Sequence, residues 1–574
     1  MGMTRRELLQ AGAFGASVVG LGAFRVSEAA APGATGRYDA AWPDLDRFVE
    51  QYLRDMNAPG LTLALADRDA VQRVVTYGFG NLEARERVRE DELFQIGSIT
   101  KSFVGLALLQ LADEGKLGFD RPVKDYLPWL RVKSAYAPIT VHHLLTHTTG
   151  LPGAGDIFQA DPEASHLAAY APGEHFHYNN AMYDLLGILA WVLDGRELPE
   201  LLRERLLQPL GMLKSEPSIT MDMRGRLAKS YAPFQPDRPF PRRGRLAEAP
   251  PVLTTSGAGC IAATPADMGA YVRMLANHGA LPAGRLVSEA GFRRFATPHI
   301  LAEDFGPGAH YGYGIAVDTL DGNRLLRHTG GMVSFMSALM VDIDDGVGGF
   351  ASINAQQGYR PNPVVKYAIQ LMRALRRGGP TPPMPETDDP VRVKNAADYA
   401  GRYGLAGSAS RALDVEADGE KLFVVHEGAR VPLERLGDAD RFAARHPALD
   451  RFPFVFHRAE PGEESAPVAE LSHGGDWFRN ARYVGPDRFD YPEAWDAYVG
   501  HYHNENAWVG SVRVVILKGR LMLDGTVPLE ADGELFRLRD NPWNTEWIRF
   551  GEVVNGRCMR LRLSGNDLWR VAAP

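Results

Sequence analysis

Apolar positions change their spacing along the chain, and each change predicts a different element. From Leu61 to Gly80 they fall in two stretches around Asp67-Arg68-Asp69, the pattern of two strands joined by a tight turn. After Ser98, the positions Phe103, Val104, Leu106, Ala107, Leu108, Leu111 and Ala112 are apolar around most of a helical circumference. Such a helix belongs inside a core, and Gly115 is its natural stop. Helices are further predicted at Tyr183 to Leu193, Pro265 to His278 and Asn362 to Arg377. Strands are predicted at Gly314 to Thr319, Arg324 to His328, Ser337 to Val341 and Gly349 to Asn354. Strands at both ends with helices between them predict an α+β domain over residues 32–377, its antiparallel sheet closed by distant chain segments.

The run Gly378-Gly379-Pro380-Thr381-Pro382-Pro383-Met384-Pro385 opposes both helix and central strand, so residues 378–392 read as a linker. Beyond it the apolar stretches become short and alternating, with no long helix among them. Tyr399-Ala400-Gly401-Arg402-Tyr403 is echoed by Tyr498-Val499-Gly500-His501-Tyr502, and Val431-Pro432-Leu433-Glu434 by Val527-Pro528-Leu529-Glu530, at offsets of 99 and 96. Two landmarks in one order at nearly one offset predict a duplicated unit, residues 393–488 and 489–574. Each copy is expected to be a compact antiparallel β-barrel or sandwich.

A length of 574 residues also requires more than one core. The balance of 63 Lys and Arg against 71 Asp and Glu gives a net charge of -8, which argues against a nucleic-acid partner. The one dense basic run, Arg242-Arg243-Gly244-Arg245, reads as a solvated loop. Only Cys260 and Cys558 are present, far apart, which excludes a disulfide framework and argues against a cysteine-based zinc site.

At the amino end, Thr4-Arg5-Arg6-Glu7-Leu8-Leu9 precedes a Gly- and Ala-rich apolar run from Ala11 to Phe24 and small residues at Ala29 to Ala31. Residues 1–31 thus resemble a twin-arginine export signal, which implies a periplasmic or secreted product. The run falls short of the ~18 apolar residues needed to span a bilayer, so no stable membrane insertion is expected after signal removal.

Candidate chemistry begins at Ser98-Ile99-Thr100-Lys101, where a spacing of three brings both side chains onto one helical face. A desolvated, uncharged Lys101 amine could take the Ser98 proton, and the helix amino terminus disfavours its ammonium form. Downstream stand His143-Leu144-Leu145-Thr146-His147-Thr148-Thr149-Gly150-Leu151-Pro152, then Tyr178-Asn179-Asn180, then His328-Thr329-Gly330-Gly331. In this order the motifs resemble the serine β-lactamase and penicillin-binding-protein-like family, in its class C and D-peptidase branch, over roughly residues 40 to 375.

The resemblance implies that Ser98 forms an acyl-enzyme and that Lys101 or Tyr178 is its base; the sequence leaves both open. It implies that Asn180 presents its amide to the substrate and to Lys101, and that His328, Thr329, Gly330 and Gly331 form the substrate-binding strand. The NH groups of Gly331 and Ser98 would form the oxyanion hole. Histidine at position 328 departs from the Lys-Thr-Gly of many relatives. An unperturbed imidazole is only roughly a quarter charged at pH 7, which weakens any demand for a substrate carboxylate.

Two related β units after such a domain resemble a D-aminopeptidase layout, in which the last barrel sends a loop toward the active site. The reading is therefore an exported D-aminopeptidase or D-amino-acid amidase, with possible esterase activity, acting on a small-molecule or peptide substrate. The alternatives are a β-lactamase or penicillin-binding D-peptidase, and a non-catalytic binding protein of the same fold. His142, His143, His175 and His177 lack a third partner at metal-ligand spacing, so neither metal nor cofactor is expected. His147 is read as structural.

Overall fold

The computed structural model describes residues 36–153, 166–356, 361–408, 410–437, 440–460, 463, 465–506 and 508–572. The export signal expected over residues 1–31 lies outside the described residues. The first domain runs α1 (Trp42–Asp55), β1 (Gly60–Asp67), β2 (Val71–Asn81), α2 (Thr100–Asp113), α3 (Asn180–Asp194) and α4 (Pro265–Ala276). It continues through β3 (Ala316–Leu320), β4 (Asn323–Gly331), β5 (Met336–Asp342), β6 (Val347–Ile353) and α5 (Asn362–Arg377).

These strands form the body of a nine-stranded sheet in the order β3-β4-β5-β6-β1-β2, extended by short strands at both edges. Every pairing in it is antiparallel, and β1 lies against β6 with Leu61 opposite Ile353. The two ends of the domain thus close one sheet, as the sequence pattern requires. Alternation along β5 divides its side chains between two cores: Met336, Ala338 and Met340 join α1 and α5 on one face, while Leu339 and Val341 join the helical layer on the other. Both faces being covered, β5 and β6 are buried at every position.

The helical layer is built around α2, whose residues from Thr100 to Leu109 are all buried. No solvent-facing stripe is left for Lys101, and this decides its chemistry below. Helix α3 begins three residues earlier than its apolar pattern predicts, because Asn179 caps it by accepting a hydrogen bond from the Met182 NH at 3.4 Å. That shift places Asn180 in the first turn.

Beyond the linker, two closed eight-stranded barrels follow, from Gly401–Leu405 to Asp476–Arg479 and from Gly500–His503 to Asn566–Val571. Closure leaves neither barrel an unpaired edge. The repeated motifs occupy equivalent places. Tyr403 donates to the Tyr399 carbonyl at 2.7 Å and Tyr502 to the Tyr498 carbonyl at 2.7 Å, while Leu433 and Leu529 are buried on the fourth strand of each barrel. The basic run at 242–245 is not simply a solvated loop. Arg242 pairs with Asp388 of the linker, and the Arg243 carbonyl accepts from Arg445 of the first barrel.

The paired tyrosine hydroxyls give a test of the duplication. Tyr403→Phe and Tyr502→Phe each leave a carbonyl short of a donor and are expected to lower stability by about 1 to 2 kcal/mol, read as a drop in the urea midpoint. An unchanged midpoint would mean that the shared hydroxyl contributes nothing to either barrel.

Candidate active site

Ser98 lies in a single helical turn, Gly97–Ile99, that feeds directly into α2. Gly97 has φ +54°, and a side chain there would come within 2.8 Å of the Gly331 nitrogen. At Gly330 an added Cβ would lie 1.9 Å from the Ile96 carbonyl oxygen. Glycine at both places therefore lets the end of β4 rest on the Ser98 turn. The Gly331 NH is brought beside the serine by this contact.

Lys101 is 0% exposed. Its Nζ lies 3.0 Å from Ser98 Oγ, 2.7 Å from Asn180 Oδ1 and 2.9 Å from the Ala258 carbonyl, and 4.9 Å from the centre of the Tyr178 ring. Burial lowers its pKa to about 7, against the opposing pull of the Asp184 charge. The uncharged amine then dominates above neutrality. It can donate to Asn180 and Ala258 while its lone pair accepts the Ser98 hydroxyl proton.

Tyr178 and Asn180 owe their places to Asn179 between them. The Asn179 NH donates to His147 Nδ1 at 3.0 Å, and its side chain donates to the carbonyls of Leu151 and Pro152, each at 3.0 Å. His147, held in the left-handed region at φ +56°, packs its ring 4.4 Å from that of Tyr178. It is fully buried, and burial drives its pKa well below the usual imidazole value, so the ring is neutral. Because Nδ1 accepts, the ring proton resides on Nε2.

His328 is 2% exposed, with Nε2 2.9 Å from the Tyr311 hydroxyl and Nδ1 2.7 Å from the Thr329 carbonyl. Nδ1 therefore carries a proton that it donates to the Thr329 carbonyl, while Nε2 shares a hydrogen bond with the Tyr311 hydroxyl. The ring stands in an aromatic cluster with Tyr311, Phe305 and Tyr178, whose ring centre lies 6.3 Å away. The backbone of Thr329, Gly330 and Gly331 is what borders the serine turn.

The second barrel also reaches this region. Its segment 540–546 places Trp543 against His175, stacked at 3.5 Å, and Thr545 Oγ1 donates to the Leu151 carbonyl at 3.2 Å. Glu546 accepts from the Gly153 NH at 2.5 Å and lies 3.3 Å from His177 Nε2. The histidines considered for a metal are thus separately engaged, His142 with Tyr313 and His143 in the Thr140 capping box. Among the described residues, no group of three or more His, Cys, Asp and Glu side chains is disposed to hold a metal ion.

Motif order in the sequence pointed to Ser98, Lys101, Tyr178 and Asn180, and the fold brings these four together. It did not point to Asp184, one turn along α3 from Asn180, or to Ala258, Tyr311 and Glu546, which reach the site through contacts between distant segments. The Ser256-Gly257-Ala258-Gly259 stretch carried only the composition of a loop.

The Beta-lactamase family profile matches residues 45–373. Esterase EstB of Burkholderia gladioli is 30% identical over 321 residues, which span 48% of this chain and 79% of EstB. Protein flp of Staphylococcus aureus is 27% identical over 184 residues, 29% of this chain and 36% of flp. Among solved structures, the octameric penicillin-binding protein homologue from Pyrococcus abyssi aligns with a TM-score of 0.54 at 23% identity, covering 77% of this chain and 100% of that one. The last likeness is one of fold. The profile spans the sheet, the helical layer and the Ser98 turn, so the chain belongs to the β-lactamase family, as a serine hydrolase with two β-barrels following its family domain.

Proposed function

We propose that this chain is an exported hydrolase that cleaves amide or ester bonds through an acyl-enzyme on Ser98. The observation that carries the reading is the 3.0 Å approach of a fully buried Lys101 amine to the Ser98 hydroxyl. Lys101 takes the hydroxyl proton as Ser98 Oγ bonds to the substrate carbonyl carbon. The NH groups of Ser98 and Gly331 receive the developing oxyanion, a contribution of about 3 kcal/mol per donor in such sites. Tyr178 then gives its phenolic proton to the leaving amine or alcohol and is reprotonated from Lys101. Asn180, bonded to Lys101, also holds the substrate's acyl-side amide. A water molecule, deprotonated by the same groups, releases the acyl product and restores Ser98.

The substrate we favour is a D-amino-acid amide or a short peptide with a free amino end. Two features support this. Both nitrogens of the His328 ring are already engaged within the protein, by the Tyr311 hydroxyl and the Thr329 carbonyl, and so are not turned to a substrate carboxylate. The exposed residues Glu303 and Asp304 immediately precede Phe305, whose ring stands 6.2 Å from that of Tyr178, and they favour a positive charge nearby. A short ester is the second reading, favoured by the likeness to Esterase EstB. The barrel segment bearing Trp543 narrows the choice of leaving group. Export is supported by the twin-arginine pattern of residues 1–31 and places the reaction in the periplasm or outside the cell.

Ser98→Ala is expected to abolish labelling by a fluorophosphonate probe while leaving the circular dichroism spectrum unchanged; persistent labelling would assign the nucleophile elsewhere. Because the base must be uncharged, kcat/KM should fall as pH drops through about 7, where Lys101 gains its proton. A flat profile across that range would rule Lys101 out as the base. Trp543→Ala should alter the ranking among D-amino-acid amides, L-amino-acid amides and short esters by about tenfold while leaving the labelling rate of Ser98 unchanged. If the ranking does not move, the barrel has no part in selection.

A further inference from the structure

Asp184 lies one helical turn beyond Asn180, on the same face of α3, and neither motif order nor the proposed chemistry uses it. Its carboxylate Oδ1 accepts the hydroxyl proton of Ser256. The same Ser256 Oγ accepts from the Ala258 NH at 3.0 Å, and the Ala258 carbonyl accepts from Lys101 Nζ at 2.9 Å. A continuous path of hydrogen bonds thus joins the carboxylate to the amine by way of one tight turn. That turn is pressed onto α3: a Cβ at Gly257 would fall 2.4 Å from the Tyr183 carbonyl, so no larger residue fits between them.

The groups facing Lys101 come from several elements. Ser98 comes from the turn before α2; Tyr178, Asn180, Tyr183 and Asp184 from α3 and the residues leading into it; His147 from the loop packed on Tyr178; and the Ala258 carbonyl from the turn. His147 is neutral, and the Tyr183 phenol is held far above its usual range by burial. Burial, with a smaller contribution from the Asp184 charge, pushes the Cys260 thiol up to about 12, so it stays a thiol. Asp184 is therefore the acidic group of this set. Burial raises its carboxyl, while the Ser256 hydroxyl, Lys101 and the Ala258 NH act in the opposite sense.

We propose that Asp184 is a positioning residue of this site: through Ser256 it fixes the Ala258 carbonyl against Lys101, and its charge sets the pH at which the amine becomes an effective base. Touching neither the serine nor a substrate, it works through a second side chain and a backbone group. Removing the charge lets desolvation act on Lys101 with less opposition, so the amine loses its proton more easily. The working range then extends to lower pH, and the base becomes intrinsically weaker.

The inference rests on Lys101 being the base, and the experiment separates the two. The rate of Ser98 labelling by a fluorophosphonate is followed over about pH 5 to 9 in the full chain, which needs no knowledge of the substrate. In Asp184→Asn, which keeps an oxygen for Ser256 but no charge, the acid limb should move down by about one pH unit, and Asp184→Glu should return it toward wild type. An Asn variant whose limb coincides with wild type overturns the proposal. Should the Asn variant fail to fold, Ser256→Ala decides, since it breaks the path and leaves the carboxylate in place. Its labelling plateau should fall about fivefold, the rate equivalent of one ordinary hydrogen bond. An unchanged plateau overturns the proposal. A wild-type limb that is absent altogether removes the Lys101 reading beneath it, a different result from an unmoved one.

Discussion

An amine with no contact to solvent sits three residues after a serine, and the rest of the domain is arranged to keep it there. Water would hold Lys101 charged across the neutral range, and a charged amine has no lone pair with which to take a proton. Excluding water requires a helix that is apolar on all sides, because any polar stripe on α2 would open a path to the surface. It also requires three oxygen atoms around Nζ, two accepting its N–H groups and the Ser98 hydroxyl facing its lone pair, since a buried polar group without partners costs more than the packing returns. Those oxygens come from the turn before α2, from the first turn of α3 and from the Ala258 turn, so three segments must meet at one nitrogen.

The sheet provides the rigid reference for that meeting. Strand β4 is held between β3 and β5, and its glycine end leans on the Ser98 turn closely enough that a methyl group at Gly330 would collide with the backbone. The Gly331 NH and the Ser98 turn are thus held together by main-chain contact rather than by mobile side chains. On the other flank, Asn179 ties Tyr178 and Asn180 to the His147 loop through three hydrogen bonds and caps α3 with a fourth. Polar recognition sits on a frame whose own positions are set by packing.

Much of this frame was legible in the sequence where the signal is local. The all-round apolar character of α2 announced a buried helix, and α5 occupies the whole of its predicted span, Asn362–Arg377, closed by Gly378 in the left-handed region. The short alternating stretches beyond the linker announced β units, and the tyrosine echo marked equivalent strands, but whether each unit would close into a barrel depends on a pairing between its first and last strands. No window of sequence contains that pairing. The site divides in the same way. Ser98 and Lys101 share a helical face, which spacing reveals. Ala258 contributes only a carbonyl oxygen, identical in every residue type, and Asp184 resembles any other acid in a helix. The Tyr311 hydroxyl that meets the His328 ring comes from a two-residue strand with no periodicity to detect.

The contact between Glu546 and the Gly153 NH carries a consequence for how the molecule is made. Glu546 lies 169 residues beyond Arg377, the end of the last helix of the first domain, so at ordinary translation rates it emerges about 8 to 34 seconds after that domain is complete. For that interval a nascent chain can hold its reactive pair in place while the surrounding rim is still being synthesised. The far barrel's segment around Glu546 is therefore the last part of that rim to be made.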